Sequence, residues 1–319
     1  MANKKNKVSF LCSACGDDFP KWHGQCPSCK EWGTLSEFKT LGRTKSSKTE
    51  FREYKPLSDI LESDPGERLS TSIIEADRVL GGGLLPGSLL LLGGSPGVGK
   101  STLALHICSE INDPVLYISA EESEEQVAIR AKRIKVKSEN LHLSSENDLT
   151  GILNHIDRIS PSLVIIDSIQ TIHNSGLDSL PGSPSQIRDC GQKFLEISKQ
   201  NNVVIIIIGH VTKEGTIAGP KMLEHMVDTV LHFEGDKQHQ FRILRSKKNR
   251  FGSTNEIGIY EMDQSGLKTV ANPSELFVSK KENSESGSAI AVTLDGDRSI
   301  MIEVQALVSS AVYGTPQRI

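Results

Sequence analysis

The stretch "GGSPGVGKST", Gly93–Thr102, follows a run of leucines and decides the fold of this chain. Positions 94–101 match the spacing G-x-x-x-x-G-K-S, in which glycines accept positive φ angles and let successive backbone N–H groups turn toward phosphate oxygens. A helix that begins within the loop adds the positive end of its dipole. The stretch therefore predicts a phosphate-binding loop that joins a buried strand to a helix.

The polar residues of this loop have expected contacts with ATP or ADP and with Mg²⁺. Lys100 would reach the β and γ phosphates, Ser101 would bind Mg²⁺, and Thr102 would lie beside the α phosphate. A chance glycine turn is the alternative, but the strand pattern before the loop and the helix pattern after it favour nucleotide binding. The predicted nucleotide-binding residues are Gly94, Ser95, Pro96, Gly97, Val98, Gly99, Lys100, Ser101 and Thr102.

Short apolar runs and amphipathic stretches alternate over the middle of the chain. The runs have the composition of strands buried on both faces: "SLLLLGG" (88–94), "PVLYISA" (114–120), "SLVIIDS" (162–168) and "VVIIIIGH" (203–210). Helical spacing in "KSTLALHICSEI" and "SEEQVAIRAKRI" predicts an α/β fold, with a parallel central sheet covered by helices on both sides. The later runs "TVLHFEG", "FRILRSKKNR" and "GIYEMD" alternate like antiparallel strands at the edge of that sheet.

Composition divides the chain into five predicted segments. Residues 1–39 form a small cysteine-paired module, 40–56 a charged linker, 57–271 the α/β nucleotide-binding domain, 272–287 a second linker and 288–319 a strand-patterned tail. The last 32 residues are too few for an independent core, so we expect them to be the opening of a domain that the chain does not complete.

Charge and hydrophobicity exclude several classes of protein. With 319 residues, 37% of them hydrophobic, and a formal net charge of −4, the chain has room for a sizeable core but no global basic field, so any nucleic-acid surface is local. No run approaches the ~18–20 apolar residues of a membrane span, and the N-terminus lacks the apolar segment of a signal peptide. We therefore expect a cytoplasmic protein without membrane contact.

Four of the six cysteines lie within the first 29 residues, where they form two C-x-x-C knuckles separated by ten residues. Paired thiolates of this kind make a closed, tetrahedral structural Zn²⁺ site, and an iron centre is the alternative. A segment this short takes most of its folding energy from the metal. The predicted zinc ligands are Cys12, Cys15, Cys26 and Cys29.

Polar residues follow three of the predicted strands. Asp167 ends "LVIID", at the sheet edge where ligands bind in open α/β folds, and would be a second Mg²⁺ ligand. Glu121 follows "VLYIS" and would polarise an attacking water, while His210 would sense the γ phosphate. The alternatives are a strand-end cap for Asp167, a capped histidine for His210, and first-turn helix residues for Glu121 and Glu122.

Five motifs in this order, behind a four-cysteine module, resemble the bacterial RadA (Sms) family of DNA-repair ATPases: "GGSPGVGKST", "LYISAEES", "VIIDSIQT", "IIIIGHVTKEG" and "KKNRFG". The resemblance covers nearly the whole chain. Its most specific part is "KNRFG", Lys248–Gly252, which is the signature of that family, whereas many unrelated NTPases share the phosphate loop. The family has a RecA-like core akin to the replicative helicase DnaB.

The resemblance implies a hexameric ring that is loaded on single-stranded DNA and hydrolyses ATP to drive branch migration of recombination intermediates alongside the RecA recombinase. It implies that Glu121 is the catalytic glutamate, Asp167 the Walker B aspartate and His210 the γ-phosphate sensor. Lys248 and Arg250 match a pair that reaches the nucleotide of the neighbouring subunit; a basic turn at a solvated sheet edge is the alternative.

Two further expectations rest on the resemblance. Members of the family carry a Lon-protease-like C-terminal domain that supports ring assembly, and residues 288–319 reach only its beginning, so we expect weakened hexamers. The cysteine module is linked to the RecA interaction in this family. Lys21, Trp22 and His23 are therefore candidates for a partner or DNA contact, and packing of Trp22 over the knuckles is the alternative.

The two loops expected to face the ring axis are rich in Gly, Pro and Ser and longer than ordinary connections, at residues 173–189 and 212–221. Neither contains Phe, Tyr or Trp, so contact with DNA would be mainly electrostatic and salt-dependent. Surface loops without a ligand are the alternative. The predicted DNA-binding residues are Gln186, Arg188, Lys213 and Lys221.

Two other functions compete with a DNA motor. One is a RecA-like ring ATPase that acts on protein partners rather than DNA, and the other is a metabolic kinase with the same phosphate loop. The segment between Asp167 and His210 has no recognisable lid or acceptor pocket, which disfavours the kinase. The zinc module and the signature favour the DNA motor.

Overall fold

The computed structural model describes residues 7–12, 14, 17–40, 56–58, 67–136, 139–210, 221–235, 241–278, 287–306 and 308. The first described unit is a small antiparallel sheet in the order β2-β1-β3. Its strands are β1 (Lys7–Cys12), β2 (Asp18–Phe19) and β3 (Leu35–Thr40). Its small core combines Leu35 with the sulfur atoms of Cys12 and Cys26, as expected of a segment with few apolar residues.

Within the described residues, nine strands form the central sheet, in the order β12-β11-β10-β9-β4-β8-β7-β5-β6. Neighbours from β9 to β6 are parallel, and β9 to β12 pair antiparallel. The predicted parallel sheet with an antiparallel edge is therefore confirmed. The strand bounds are β4 Leu89–Gly94, β5 Val115–Ser119, β6 Leu141–Ser144, β7 Leu163–Asp167, β8 Val204–His210, β9 Thr229–Gly235, β10 Phe241–Asn249, β11 Ile257–Asp263 and β12 Gly266–Thr269.

Helices cover both faces of this sheet, as predicted. One buried cluster joins α1, α2 and α3 to the aliphatic side chains of one face, and a second joins α4, α5 and α6 to the other face. Side-chain caps begin α3, where Ser123 and Gln126 form a capping box, and α4, where Asp148 accepts from Thr150 N. The helix bounds are α1 Ile74–Leu80, α2 Lys100–Glu110, α3 Glu124–Arg133, α4 Leu149–Ile159, α5 Pro184–Asn201, α6 Lys221–Met226 and α7 Ser274–Phe277.

The register of the sheet brings the predicted polar residues to one edge. Gly94 lies opposite His210, and Ser119 lies opposite Asp167, so the carboxyl ends of β4, β8, β5 and β7 meet there. The amino ends of the same strands form the opposite edge. The length of the strands therefore separates the two edges of the sheet.

The tail is not a detached fragment. Strands β13 (Ser288–Asp295) and β14 (Arg298–Gln305) form a hairpin, and Ile300 packs against Ile257 and Ile259 of β11. Ahead of the hairpin, α7 lies inside the segment that the sequence predicted as a linker. Among the described residues, no helix is both long enough and apolar enough to cross a membrane.

Candidate nucleotide site and signature turn

The phosphate loop runs from the last residue of β4 to the first residue of α2 and has the backbone that the sequence predicted. Gly97 and Gly99 have φ angles of 78° and 110°, in the left-handed region that favours glycine. A Cβ on Gly94 would overlap the carbonyl oxygen of Phe233 on the adjacent strand β9. Around Gly97 a Cβ would meet nothing within 4 Å, so the loop is open to solvent at this position.

The Lys100 side chain lies over this loop. Its Nζ donates to the carbonyl oxygens of Gly94 at 2.9 Å and Ser95 at 3.1 Å. Burial lowers the pKa of Lys100, while the carboxylates of Asp167 and Glu121 act in the opposite direction. The ammonium is thus held inside the loop and is stabilised by two negative side chains, as a phosphate ligand requires.

The structure brings Lys100, Asp167 and Glu121 to one place. Asp167 is only 9% exposed, and its Oδ2 accepts a hydrogen bond from the hydroxyl of Tyr117 at 2.6 Å. Glu121 accepts from the Ser168 hydroxyl, directly after Asp167. A lysine, a buried carboxylate and a second, exposed carboxylate fit MgATP, with the half-buried Ser101 next to Lys100 in the chain. Ser101 and Asp167 would hold Mg²⁺, and Glu121 would face water.

Two neighbours of this group were left open by the sequence. Glu122 precedes the N-cap Ser123 of α3 and forms an ion pair with Arg130, so it is held by a side-chain contact and is not a first-turn helix residue. His210 ends β8 opposite Gly94, so its backbone is at the phosphate edge, but its side chain lies outside the described residues. Its role as a γ-phosphate sensor stays a prediction.

The signature turn, 248–252, lies at the opposite edge of the sheet. Asn249 pairs with Thr229 at the start of β9, and Thr229 pairs with Leu90 at the start of β4. Lys248 does not extend into solvent: its Nζ donates to the carbonyls of Glu224 at 2.7 Å, His225 at 3.3 Å and Val227 at 2.7 Å. The Lys248 ammonium caps the C-terminal end of α6. In the single chain it therefore does not extend toward a neighbouring subunit, although the sequence had predicted that it would.

The other signature residues divide into one exposed group and three that fix the turn. The Arg250 side chain is 54% exposed, with its Nη1 atom 3.5 Å from Asp228 Oδ1. Phe251 O accepts from Arg68 at 2.6 Å, and Phe251 N donates to Asn249 Oδ1 at 3.0 Å. A Cβ on Gly252 would lie 2.9 Å from the Asn249 amide, which explains glycine there.

The predicted DNA-contact residues are placed differently from one another. The prediction that Gln186 contacts DNA is corrected, because Gln186 is 1% exposed and its side-chain amide is hydrogen-bonded to Asn174 and Ser179. Helix α5 begins at Pro184, so Gln186 supports the loop from below instead of projecting from it. Arg188 is half-exposed and lies 3.3 Å from Asp18 of the N-terminal unit. Lys213 and the side chain of Lys221 lie outside the described residues.

Three cysteines of the N-terminal unit converge as a metal site requires. The sulfur atoms of Cys12, Cys26 and Cys29 all lie within 4.8 Å of one another, and Cys15 lies outside the described residues. Soft thiolates at this spacing fit Zn²⁺. Trp22 is 61% exposed, so most of its side chain is available for a contact.

Sequence reasoning missed three residues that organise these sites: Tyr117, Ser168 and Asp228. Tyr117 had a usable signal, since a tyrosine inside an otherwise aliphatic buried strand has a hydroxyl that needs a partner. Ser168 directly follows the predicted carboxylate. Asp228 had no signal in the sequence, because its partners come from β4, α5 and the signature turn.

Comparisons with known proteins agree with an ATPase domain preceded by a metal-binding unit. The AAA domain family matches residues 58–216, and the rubredoxin metal binding domain matches residues 10–37. The chain is 46% identical to the DNA repair protein RadA of Listeria monocytogenes, over 100% of this chain and 71% of that relative. It is 45% identical to the protein of the same name from Bacillus subtilis, over 98% of this chain and 70% of that relative.

The fold comparison is coarser. A KaiC-like protein from the archaeon Pyrococcus horikoshii superposes with a TM-score of 0.53 at 20% identity, over 65% of this chain and 100% of that protein. That likeness shows a shared RecA-like fold. Because identity near 46% extends over the full chain, the family inferred from the motifs is confirmed: the chain belongs to the RadA family of bacterial DNA repair proteins, with a P-loop ATPase domain and a zinc ribbon.

Proposed function

We propose that this chain is the subunit of an ATP-driven motor that encircles single-stranded DNA and acts on branched recombination intermediates in the cytoplasm, in cooperation with the RecA recombinase. Lys100, Ser101 and Asp167 bind MgATP, Glu121 orients the attacking water, and His210 senses the γ phosphate. Arg250 acts on the nucleotide of the adjacent subunit in a hexameric ring. Arg188, Lys213 and Lys221 contact DNA phosphates.

The position of Arg250 carries this proposal. The signature turn is at the amino ends of β4 and β9, whereas the phosphate loop is at the carboxyl end of β4. Five residue steps separate Leu89 from Gly94, so the two edges are about 16 Å apart, farther than an arginine side chain reaches. An exposed guanidinium that cannot reach its own nucleotide suits a neighbour's nucleotide, and such a group makes hydrolysis depend on assembly.

DNA dependence is tested by the rate of ATP hydrolysis with and without single-stranded DNA. We expect a large stimulation that falls steeply as salt is raised, because the two candidate loops offer cations and no Phe, Tyr or Trp. Sizing of the purified chain with ADP, Mg²⁺ and single-stranded DNA reports ring formation in the same samples. If an assembled ring hydrolyses ATP at the same rate with and without DNA, the proposal of a DNA motor is overturned. That result would favour a ring ATPase that acts on protein partners.

A further inference from the structure

A buried carboxylate that no motif marks lies behind the signature turn. Asp228 is 2% exposed and lies between the end of α6 and the start of β9, and its backbone N donates to Leu89 O, at the start of β4, at 2.9 Å. Its Oδ2 accepts from Leu89 N at 3.1 Å and from Lys199 Nζ at 2.8 Å. Both the backbone and the side chain of Asp228 are therefore fixed to the rigid centre of the sheet.

Asp228 also holds Arg250 at two points. The carbonyl oxygen of Asp228 accepts from Arg250 N at 3.1 Å, and Asp228 Oδ1 lies 3.5 Å from Arg250 Nη1. The two partners differ sharply in exposure, with the Asp228 side chain 3% exposed and the Arg250 side chain 54% exposed. The carboxylate thus faces one side of a guanidinium whose other side faces solvent.

Stability alone gives little reason for this arrangement. A buried charge has a desolvation penalty that its partners repay only with good geometry, and well-packed apolar residues often serve equally well. Lys199 supplies the close partner and is itself placed 5.8 Å above the ring of Phe251. The longer contact of Asp228, to the exposed Arg250, contributes little to stability, and its main effect is to orient the guanidinium.

We propose that Asp228 is a positioning residue that aims the guanidinium of Arg250 away from the sheet edge, toward the nucleotide of the adjacent subunit. The planar guanidinium has five N–H donors, so one side turned to Asp228 leaves the others for phosphate oxygens. The inference rests on the proposed role of Arg250 across the subunit interface. With Asp228 in this role, the guanidinium of Arg250 is already oriented in the free subunit, before the adjacent subunit binds.

The test is ATP hydrolysis by mixed rings. Arg250→Ala subunits keep an intact nucleotide site but offer no arginine to the site of the adjacent subunit. Lys100→Ala subunits cannot hydrolyse ATP at their own site but still offer Arg250 to the adjacent one. A mixture of the two should exceed the summed rates of the separate samples. Asp228→Asn alone should lose about tenfold or more in kcat with KM for ATP within about twofold, as expected for a misplaced group. Mixing it with Lys100→Ala should restore activity, and mixing it with Arg250→Ala should not.

Glu75→Gln is the matched control. Glu75 is also a buried carboxylate that accepts from a backbone N–H, Ile259 N at 2.8 Å, and pairs with an arginine, but these partners lie on β11 and the β13–β14 hairpin and not in the signature turn. Its kcat should stay within about twofold of the parent chain at a temperature where both variants are folded. A similar loss in Glu75→Gln would make the effect of Asp228→Asn one of general destabilisation and would overturn the proposal.

The remaining outcomes separate the inference from the function on which it rests. If Arg250→Ala is not restored by Lys100→Ala, the role across the interface fails and the inference fails with it. If Arg250→Ala is restored but Asp228→Asn keeps full kcat, or loses kcat without restoration, only the inference fails. Asp228→Glu keeps the charge and is the second variant should Asp228→Asn not fold. Unfolding of both variants would assign Asp228 to the core and overturn the proposal.

Discussion

At the scale of single residues, the candidate catalytic group is defined by buried polar atoms that have partners. Lys100 is held by two loop carbonyls, and Asp167 is held by the hydroxyl of Tyr117. Burial raises the pKa of Tyr117 well above its ordinary value, and the charge of Asp167 acts in the same direction, so the phenol stays protonated and donates. These contacts orient the ammonium and the carboxylate before nucleotide binds, which is the preorganisation that phosphoryl transfer uses.

Replacing Lys100 by alanine should abolish ATP turnover, because the ammonium that meets the β and γ phosphates is removed. Nucleotide binding by a fluorescent ATP analogue and the release of phosphate measure the two steps. Lys193→Ala is the control: Lys193 is an exposed helix lysine paired with Glu196 at 2.8 Å, a surface contact of small energetic value. Full ATPase activity in Lys100→Ala would refute the assignment of the phosphate loop.

Tyr117→Phe should lower the free energy of unfolding by about 1.5–3 kcal/mol, because the buried Asp167 carboxylate loses a donor. It should also raise the Mg²⁺ concentration needed for half-maximal hydrolysis, since Asp167 is then less well oriented. Denaturant unfolding and a Mg²⁺ titration are the measurements.

Tyr260→Phe is the control for that prediction. Tyr260 is equally buried, but its hydroxyl has no hydrogen-bond partner among the described residues, so its removal should cost less than about 1 kcal/mol or stabilise the fold. Equal losses in the two variants would show that Tyr117 stabilises by packing and not through Asp167.

At the scale of elements, short sequence patterns determine local structure, and the zinc ribbon shows this most clearly. The hairpin of the second knuckle is closed by bonds from Cys26 N to Glu31 O at 2.8 Å and from Lys30 N to Cys26 O at 3.0 Å. Its buried centre is largely sulfur, so the metal replaces the apolar core that the segment lacks. The element should therefore fold or unfold with its metal, independently of the sheet.

Cys26→Ser should release zinc and unfold only the N-terminal unit. Zinc content gives the first readout, and tryptophan fluorescence gives the second, since both tryptophans, Trp22 and Trp32, lie in this unit. Cys108→Ser is the control, because Cys108 is buried in α2 and should not affect the metal. A Cys26→Ser protein that kept one equivalent of zinc would contradict a site of four thiolates.

At the scale of the whole molecule, the sequence was informative where a residue's role depends on its neighbours in the chain. Apolar runs ending in Gly94 or Asp167 predicted the strands and the edge where the polar groups meet. The contacts of Asp228 were not predictable, because they depend on how β4, α5 and the signature turn pack together. The burial of Gln186 was not predictable either, because it depends on how the preceding loop folds so that Asn174 and Ser179 bond its amide. The packing of the tail against β11 was not predictable for the same reason: its packing partners are far away in the sequence.

A buried ion pair connects the tail to helix α1. Arg298 of the β13–β14 hairpin is 9% exposed and pairs with the buried Glu75 of α1, and it also donates to Ala271 O at 3.0 Å. Among the described residues, Arg298→Met leaves the Glu75 carboxylate with the Ile259 N–H and with a more distant cation, Arg78 at 3.6 Å, so the free energy of unfolding should fall by about 3 kcal/mol or more.

Because the tryptophans lie outside the sheet, circular dichroism during denaturant unfolding measures this loss. The double variant Glu75→Gln/Arg298→Met removes the charge as well as its partner, and it should be more stable than the sum of the two single losses indicates. Such coupling would show that the hairpin is held to α1 by this ion pair. Additive losses would mean instead that the apolar contact of Ile300 with β11 holds the hairpin, with Arg298 contributing only through its own packing.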